Sequence, residues 1–142
     1  MKLIDLNILI YAVNRDAPPH RAARTWLEAT LSGSEAVGLA WTVILGFLRL
    51  TTNGRIVPQP LSPKQAIGVV DGWLQLPCVR VVDPSDRHWS ILQDLLAAGG
   101  TAGNLTTDAH LAALAIEYGA RLYSTDHDFA RFKGLRWANP LA

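Results

Sequence analysis

The chain has 142 residues, 49% of them hydrophobic, with a formal net charge of +1. That size and apolar share are those of one globular domain over residues 1–142, and the absence of any stretch of about 18 apolar residues leaves no membrane span to expect. One cysteine, Cys78, excludes an internal disulfide and fits a reducing compartment, here the cytoplasm; the near-balanced charge neither announces nor excludes a nucleic-acid partner, since a basic rim can stand beside an acidic pocket.

Lys2–Leu6 reads as a short buried strand, with a helix starting at Asn7 or slightly later. Lys2 ahead of an apolar run resembles a signal peptide, but Asp5 and Asn7 interrupt the run and no small-residue cleavage site follows. After a turn through Asp16, Pro18 and Pro19, His20–Leu31 is helical, with Ala23, Trp26, Leu27 and Leu31 on one face. Ala36–Ala40 is a second apolar strand, and Trp41–Thr52 returns to helical spacing. Asn53-Gly54, Pro58 and Pro60 mark the longest loop. Ser62 then caps a helix whose first residue is Pro63, with Ala66, Ile67, Val70, Trp73 and Leu74 as its expected buried stripe.

Val79–Val82 is a third strand, closed by Asp83-Pro84. Asp86–Ala98 is helical and Gly99-Gly100 stops it. Thr107 or Asn104 caps the next helix, which runs to Tyr118, with Leu111, Leu114, Ala115 and Tyr118 inward and Gly119 as terminator. Arg121–Ser124 is a fourth strand, followed by a turn around Asp126–Ala130 and a last strand near Leu135–Ala138. The five tryptophans read as packing residues. Short, nearly all-apolar strands alternating with helices indicate a parallel sheet covered on both faces. Ligands of such sheets sit outside the carboxyl ends of the strands.

Three carboxylates stand at or near that edge: Asp5 at the end of the first strand, Asp108 in the first turn of NLTTDAHLAALA, and Asp126 after the fourth strand in STDHDF, with Asp128 two residues on. Each has an ordinary explanation. Asp108 stabilises a helix dipole by about 0.3–1 kcal/mol, and Asp126 and Asp128 suit a turn. Asp5 is the hardest to explain, because a buried strand offers a carboxylate few partners. Asp83 reads as a turn residue, and Asp71, Asp94 and Glu117 as solvated. Two to four carboxylates suffice for a hard cation such as Mg²⁺, with Mn²⁺ able to substitute, and such an ion suits phosphodiester hydrolysis. Zinc is not expected, since the histidines and the cysteine form no spaced set.

The segments IDLNILIYA and NLTTDAHLAALAIEYGARLYSTDHDFARF resemble the PIN domain, specifically the VapC-type toxin ribonucleases. The resemblance runs over essentially the whole chain. It implies a three-layer α/β/α sandwich with a parallel sheet of four or five strands, and Mg²⁺- or Mn²⁺-dependent cleavage of tRNA or ribosomal RNA. Asp5, Asp108 and Asp126 match the family's first, third and fourth acids, and Asp128 matches the Asp of its D-x-D-F turn. Asn7 matches the polar residue after the first acid, and Thr125 the hydroxyl position before the fourth. The resemblance also implies a VapB-type antitoxin, a homodimer, and contact with operator DNA only through the antitoxin.

One position departs. The family's second acid, a Glu, falls at Gly46 in WTVILGFLRLTT, which removes one ligand and favours one ion over two. Arg49 shares the Gly46 face three residues on and is a candidate phosphate ligand. Arg15, Arg55 and Lys64 are candidates for a basic rim, and His110 and His127 read as surface residues. Without the Glu, a non-catalytic binding module acting through the antitoxin complex is the second reading. A phosphoacceptor receiver domain is disfavoured, because Asp5 has no acidic neighbour and no Lys follows a fifth strand.

Overall fold

The computed structural model describes residues 1–99 and 103–142. Its strands are β1 (Lys2–Ile4), β2 (Val37–Ala40), β3 (Val79–Val82), β4 (Arg121–Tyr123) and β5 (Arg136–Ala138). Its helices are α1 (Leu6–Val13), α2 (His20–Leu31), α3 (Trp41–Thr51), α4 (Pro63–Leu74), α5 (His88–Gly99) and α6 (Thr106–Glu117). The five strands form one sheet in the order β3-β2-β1-β4-β5, with every pairing parallel. Parallel neighbours need crossovers, and six helices supply them. Right-handed crossovers put α1–α4 on the face reached in passing from β1 to β3, and α5–α6 on the other. The result is the three-layer sandwich that the sequence implies.

The topology fixes where a site can form. From β1 the chain steps to β2 and β3 on one side, then returns to the other side of β1 for β4. Neighbouring strands whose connections leave in opposite directions open a crevice at their carboxyl ends, here between β1 and β4. Ile4 pairs with Tyr123 across those strands, so the residues that follow, Asp5 and Ser124, emerge side by side. Leu3, Ile4, Leu39 and Leu122 bury this part of the sheet almost completely.

Local chemistry explains most element boundaries. Asp5 ends β1 and caps α1, accepting the Leu6 N–H at 2.7 Å, so the helix starts one residue before the expected Asn7. Ser62 and Gln65 form a reciprocal capping box ahead of Pro63. Gly119, at φ +62°, follows the α6 C-cap, a conformation that favours glycine. Gly100, half of the expected stop after α5, and the Asn104 side chain, one of two expected caps, lie outside the described residues. The other, Thr107, is inside α6, whose N-cap is Leu105 with no side-chain cap bond.

Several burial expectations change. Ile67 is 53% exposed and leaves the α4 stripe to Ala66 and Val70, with Trp73 and Leu74 partly buried. Tyr118 is exposed, because its hydroxyl reaches out to donate to the Asp83 carbonyl at 2.6 Å. Trp26, Trp73 and Trp137 pack against the core, whereas Trp41 and Trp89 are 50% and 66% exposed. Glu117 is the reverse case: its side chain is fully buried, held by His88 on α5 and by the Ser85 N–H just before it. Among the described residues no helix is long and apolar enough to cross a membrane.

Two glycines test the packing. A Cβ on Gly38, in the middle of the sheet, would stand 2.6 Å from Val82 Cγ2 and 3.1 Å from Leu3 Cδ1, whereas one on Gly68 in α4 would meet nothing within 4 Å. Gly38→Ala is expected to destabilise by about 1–3 kcal/mol through overpacking. Gly68→Ala should stabilise by up to about 1 kcal/mol through helix propensity. Urea denaturation of both variants checks this, and equal effects at the two positions would contradict the packing described.

Candidate active site

The carboxyl edge between β1 and β4 is organised by a residue with a small side chain. Ser124 is fully buried, and its hydroxyl donates to Asp5 Oδ2 at 2.6 Å. The same oxygen accepts from Asn7 Nδ2 at 3.2 Å and from the Asp126 N–H at 3.0 Å. Asn7 Oδ1 in turn accepts the Thr125 N–H at 3.4 Å. The Ser124 carbonyl accepts from the Trp137 indole at 3.1 Å, which ties the turn to β5. One hydroxyl thus uses its donor and both acceptor positions to join the start of α1 to the turn after β4.

That turn carries two acids. Asp126 caps the 3₁₀ turn His127–Arg131 by accepting the Asp128 N–H at 2.9 Å. Asp128 is exposed and forms an ion pair with Arg131 at 3.3 Å. Asp108 reaches the same place from the first turn of α6. Asp108, Asp126 and Asp128 each offer a carboxylate oxygen within 4.8 Å of the other two. Asp5 lies behind this set, its two oxygens engaged by Leu6 and Ser124.

The acids stand at an electrostatic cost. Burial raises the Asp5 pKa above 3.8, opposed by its bonds to Ser124 and Leu6 and reinforced by Asp126. Asp108 is pushed up to about 6, first by burial, then by the charges of Asp126, Asp5 and Asp128, with Arg131 opposing. Four neighbouring carboxylates, two of them raised in pKa, are a strong attractor for a hard cation. An octahedral Mg²⁺ site separates its ligand oxygens by about 3–4 Å, within reach of small rotamer changes here. The set is all oxygen, which fits Mg²⁺ or Mn²⁺ and not zinc.

A family model for the PIN domain matches residues 2–135. The chain is 46% identical to Ribonuclease VapC37 of Mycobacterium tuberculosis, over 100% of this chain and 99% of that protein. It is 43% identical to Ribonuclease VapC33 of the same organism, over 99% of each. Among solved structures it is similar to VapBC2 of Rickettsia felis bound to a promoter DNA fragment, with TM-score 0.71 and 18% identity over 97% of both chains. It is also similar to the sarcin-ricin loop cleaving toxin VapC20 of Mycobacterium tuberculosis, with TM-score 0.66 and 18% identity over 96% of this chain and 99% of that one.

The chain belongs to the PIN-domain family. The four expected acids, Asn7 and Thr125 lie at one edge, in different arrangements. Asp108, Asp126 and Asp128 converge, Asp5 backs them, and Asn7 orients Ser124 and Thr125. Thr125 contributes its N–H, while the hydroxyl that joins the acids belongs to Ser124, which sequence reasoning had treated as the last residue of a strand. The available signal was its place as the first polar residue after an apolar strand, level with Asp5. Arg49 is exposed on α3 and forms no ion pair among the described residues. Gly46 is buried against α1: a Cβ there would lie 2.6 Å from Leu6 Cδ2. The crossing of α3 on α1 leaves no side chain at Gly46 to offer a ligand.

Ser124→Ala should destabilise the metal-free protein by about 1–3 kcal/mol, because the Asp5 carboxylate loses a buried donor. A denaturation midpoint equal to wild type would contradict the hub. The raised acids also set a pH dependence. A carboxyl with a raised folded pKa binds its proton more tightly in the folded protein. For Asp108 the contribution to stability is complete below the unfolded value of 3.8 and is lost as pH rises through about 6. Metal-free protein should therefore lose stability between about pH 4 and pH 6, and Asp108→Asn should flatten that decline. A wild-type curve that rises across the same interval would contradict the electrostatics described.

Proposed function

We propose that this PIN-domain ribonuclease hydrolyses phosphodiester bonds of structured RNA, tRNA or ribosomal RNA, with one Mg²⁺ or Mn²⁺ held by Asp108, Asp126 and Asp128 and backed by Asp5. Its family place among the VapC ribonucleases makes it the toxin of a VapBC-type module, an endoribonuclease whose action arrests translation and growth. The observation that carries the metal-dependent reading is the convergence of three carboxylate oxygens at the sheet's switch point.

Such a cation supplies charge neutralisation at the scissile phosphate and a water of lowered pKa. The chain's own residues do the rest. Asp108, Asp126 and Asp128 present the anionic oxygens, and Ser124, Asn7 and the Thr125 N–H fix the turn that presents two of them. Two cavities, of about 250 and 150 Å³, are lined by other residues, the larger by Asn14, Arg15 and Asp16 among them. Asp128 is exposed and Asp108 and Asp126 are half-buried, so a polymer backbone can reach them from solvent. Structured RNA meets such a site best where a loop splays single-stranded nucleotides outward. Arg49, exposed on α3, is the candidate cation for a phosphate flanking the cut.

The partners follow from the same reading. A VapB antitoxin binds the toxin, the toxin pairs with a second copy of itself, and operator DNA is met through the antitoxin. The setting is the cytoplasm. The second reading, a non-catalytic binding module acting within the antitoxin complex, is favoured by one observation: Gly46 packs on Leu6 and supplies no ligand.

One experiment separates the two. Purified protein is incubated with a broad RNA panel and Mn²⁺, and cleavage ends are sequenced. Asp108→Asn and Asp126→Asn should each lower cleavage by about 100-fold or more, and Asp5→Asn by about 10–100-fold, the range for a group that orients ligands from behind. Asp71→Asn, on an exposed face of α4, should leave it unchanged. Equal cleavage by wild type and Asp126→Asn, or cleavage unaffected by chelation, would refute the metal-dependent reading.

A further inference from the structure

A second polar network runs beside the acidic edge and is used by nothing described so far. Glu117, in the last turn of α6, has a fully buried side chain. Its Oε1 accepts the Ser85 N–H at 2.7 Å, and its Oε2 lies 2.7 Å from His88 Nδ1. His88 is the first residue of α5, and its Nε2 lies 2.9 Å from His110 Nδ1. The two imidazoles meet edge to face, with centroids 4.8 Å apart. The carboxylate only accepts, so His88 donates from Nδ1, and a neutral His88 ring then accepts at Nε2 from His110. His110 and Glu117 are seven residues apart on one face of α6, and the His88 ring bridges them. Around them, Arg87 donates to the Glu117 carbonyl at 2.9 Å, and Tyr118 donates to the Asp83 carbonyl.

The geometry is that of a brace and not of a second metal centre. Glu117 stands behind His88, so no third ligand atom converges with the two imidazoles; among the described residues only Asp108, Asp126 and Asp128 form such a group. The brace acts on a helix that needs one. The buried side of α6 is made of Ala109, Ala112, Ala113 and Ala115 with Leu111 and Leu114, all apolar, so its packing carries no directional contact. Its N-cap, Leu105, makes no side-chain bond. Asp108 sits on that end, facing Asp126, Asp5 and Asp128, all of like charge. Directional hydrogen bonds set register where apolar packing does not.

We propose that His88 is a positioning residue for the metal site: by bridging His110 and Glu117 it fixes the register of α6 and so holds Asp108 against the repulsion of the other acids. The proposal rests on the metal-binding reading above. It makes the α5–α6 face part of the machinery that readies the ligand set. Residues that orient a metal ligand at one remove cost about 10–100-fold in metal affinity when changed.

The test is Mn²⁺ affinity by isothermal titration calorimetry, on protein shown to be folded by a cooperative urea transition. His88→Phe, which keeps an aromatic ring but no ring nitrogens, and Glu117→Gln should weaken Mn²⁺ binding by about tenfold. His110→Ala should do the same. His110→Asn, whose amide stands near the position of Nδ1, should retain most of the wild-type affinity. A wild-type Kd in folded His88→Phe and Glu117→Gln would overturn the brace while leaving the metal site intact. Should His88→Phe not fold, Glu117→Gln and the His110 pair decide the matter alone. Wild-type protein that binds Mn²⁺ no more tightly than Asp108→Asn would remove the metal site itself, and the brace with it.

Discussion

A carboxylate at the end of a central strand is tolerated only when donors meet its oxygens, and here the Ser124 hydroxyl supplies the donor on which the carboxyl edge depends. Parallel pairing of β1 with β4 makes the arrangement possible: the register that sets Ile4 beside Tyr123 brings Asp5 and Ser124 out together. From that one oxygen the order spreads. Asn7 and the Asp126 N–H reach it from α1 and from the turn after β4, and Trp137 fastens the serine's carbonyl from β5. The start of α1, the turn after β4 and strand β5 are thereby fixed around the same residue.

The bonds that hold the acids do not remove the strain of assembling them. Ser124 and Leu6 stabilise the Asp5 charge, yet burial still raises its pKa, and Asp108 is raised further by three like-charged neighbours. Such an arrangement costs the fold something in the absence of a counter-charge and becomes favourable when one is present. This is the electrostatic preorganisation expected of a site that gathers a cation and then a phosphate. The α5–α6 brace belongs to the same logic, because a ligand set under mutual repulsion stays in place only if the elements bearing it cannot drift.

Much of this was legible in the residues. The strand–helix alternation, the parallel sheet and the placing of Asp5, Asp108, Asp126 and Asp128 follow from apolar runs and their punctuation. What escaped sequence reasoning was of two kinds. The first was polar partnership across long sequence separation: Ser124 with Asp5, and Glu117 with His88 and His110, are contacts that no local pattern announces. Glu117 reads as solvated from its own helix, whereas Ser85 before α5 and His88 at its start engage both its oxygens. The second was the difference between apolar and buried. Ile67, Trp41 and Trp89 are apolar yet exposed, since an amphipathic face has edges that spacing alone does not locate. Gly46 combined both: its close approach to Leu6 depends on how α3 crosses α1.

The central claim is that the acids at the β1–β4 edge form one cation site, and anomalous diffraction from crystals grown with Mn²⁺ tests it most directly. The account predicts an anomalous peak at coordination distance from carboxylate oxygens of Asp108 and Asp126, with Asp128 turned toward it or joined through water, and Asp5 still bonded to Ser124. A peak elsewhere, or none while these four carboxylates are ordered at high Mn²⁺ concentration, would contradict it.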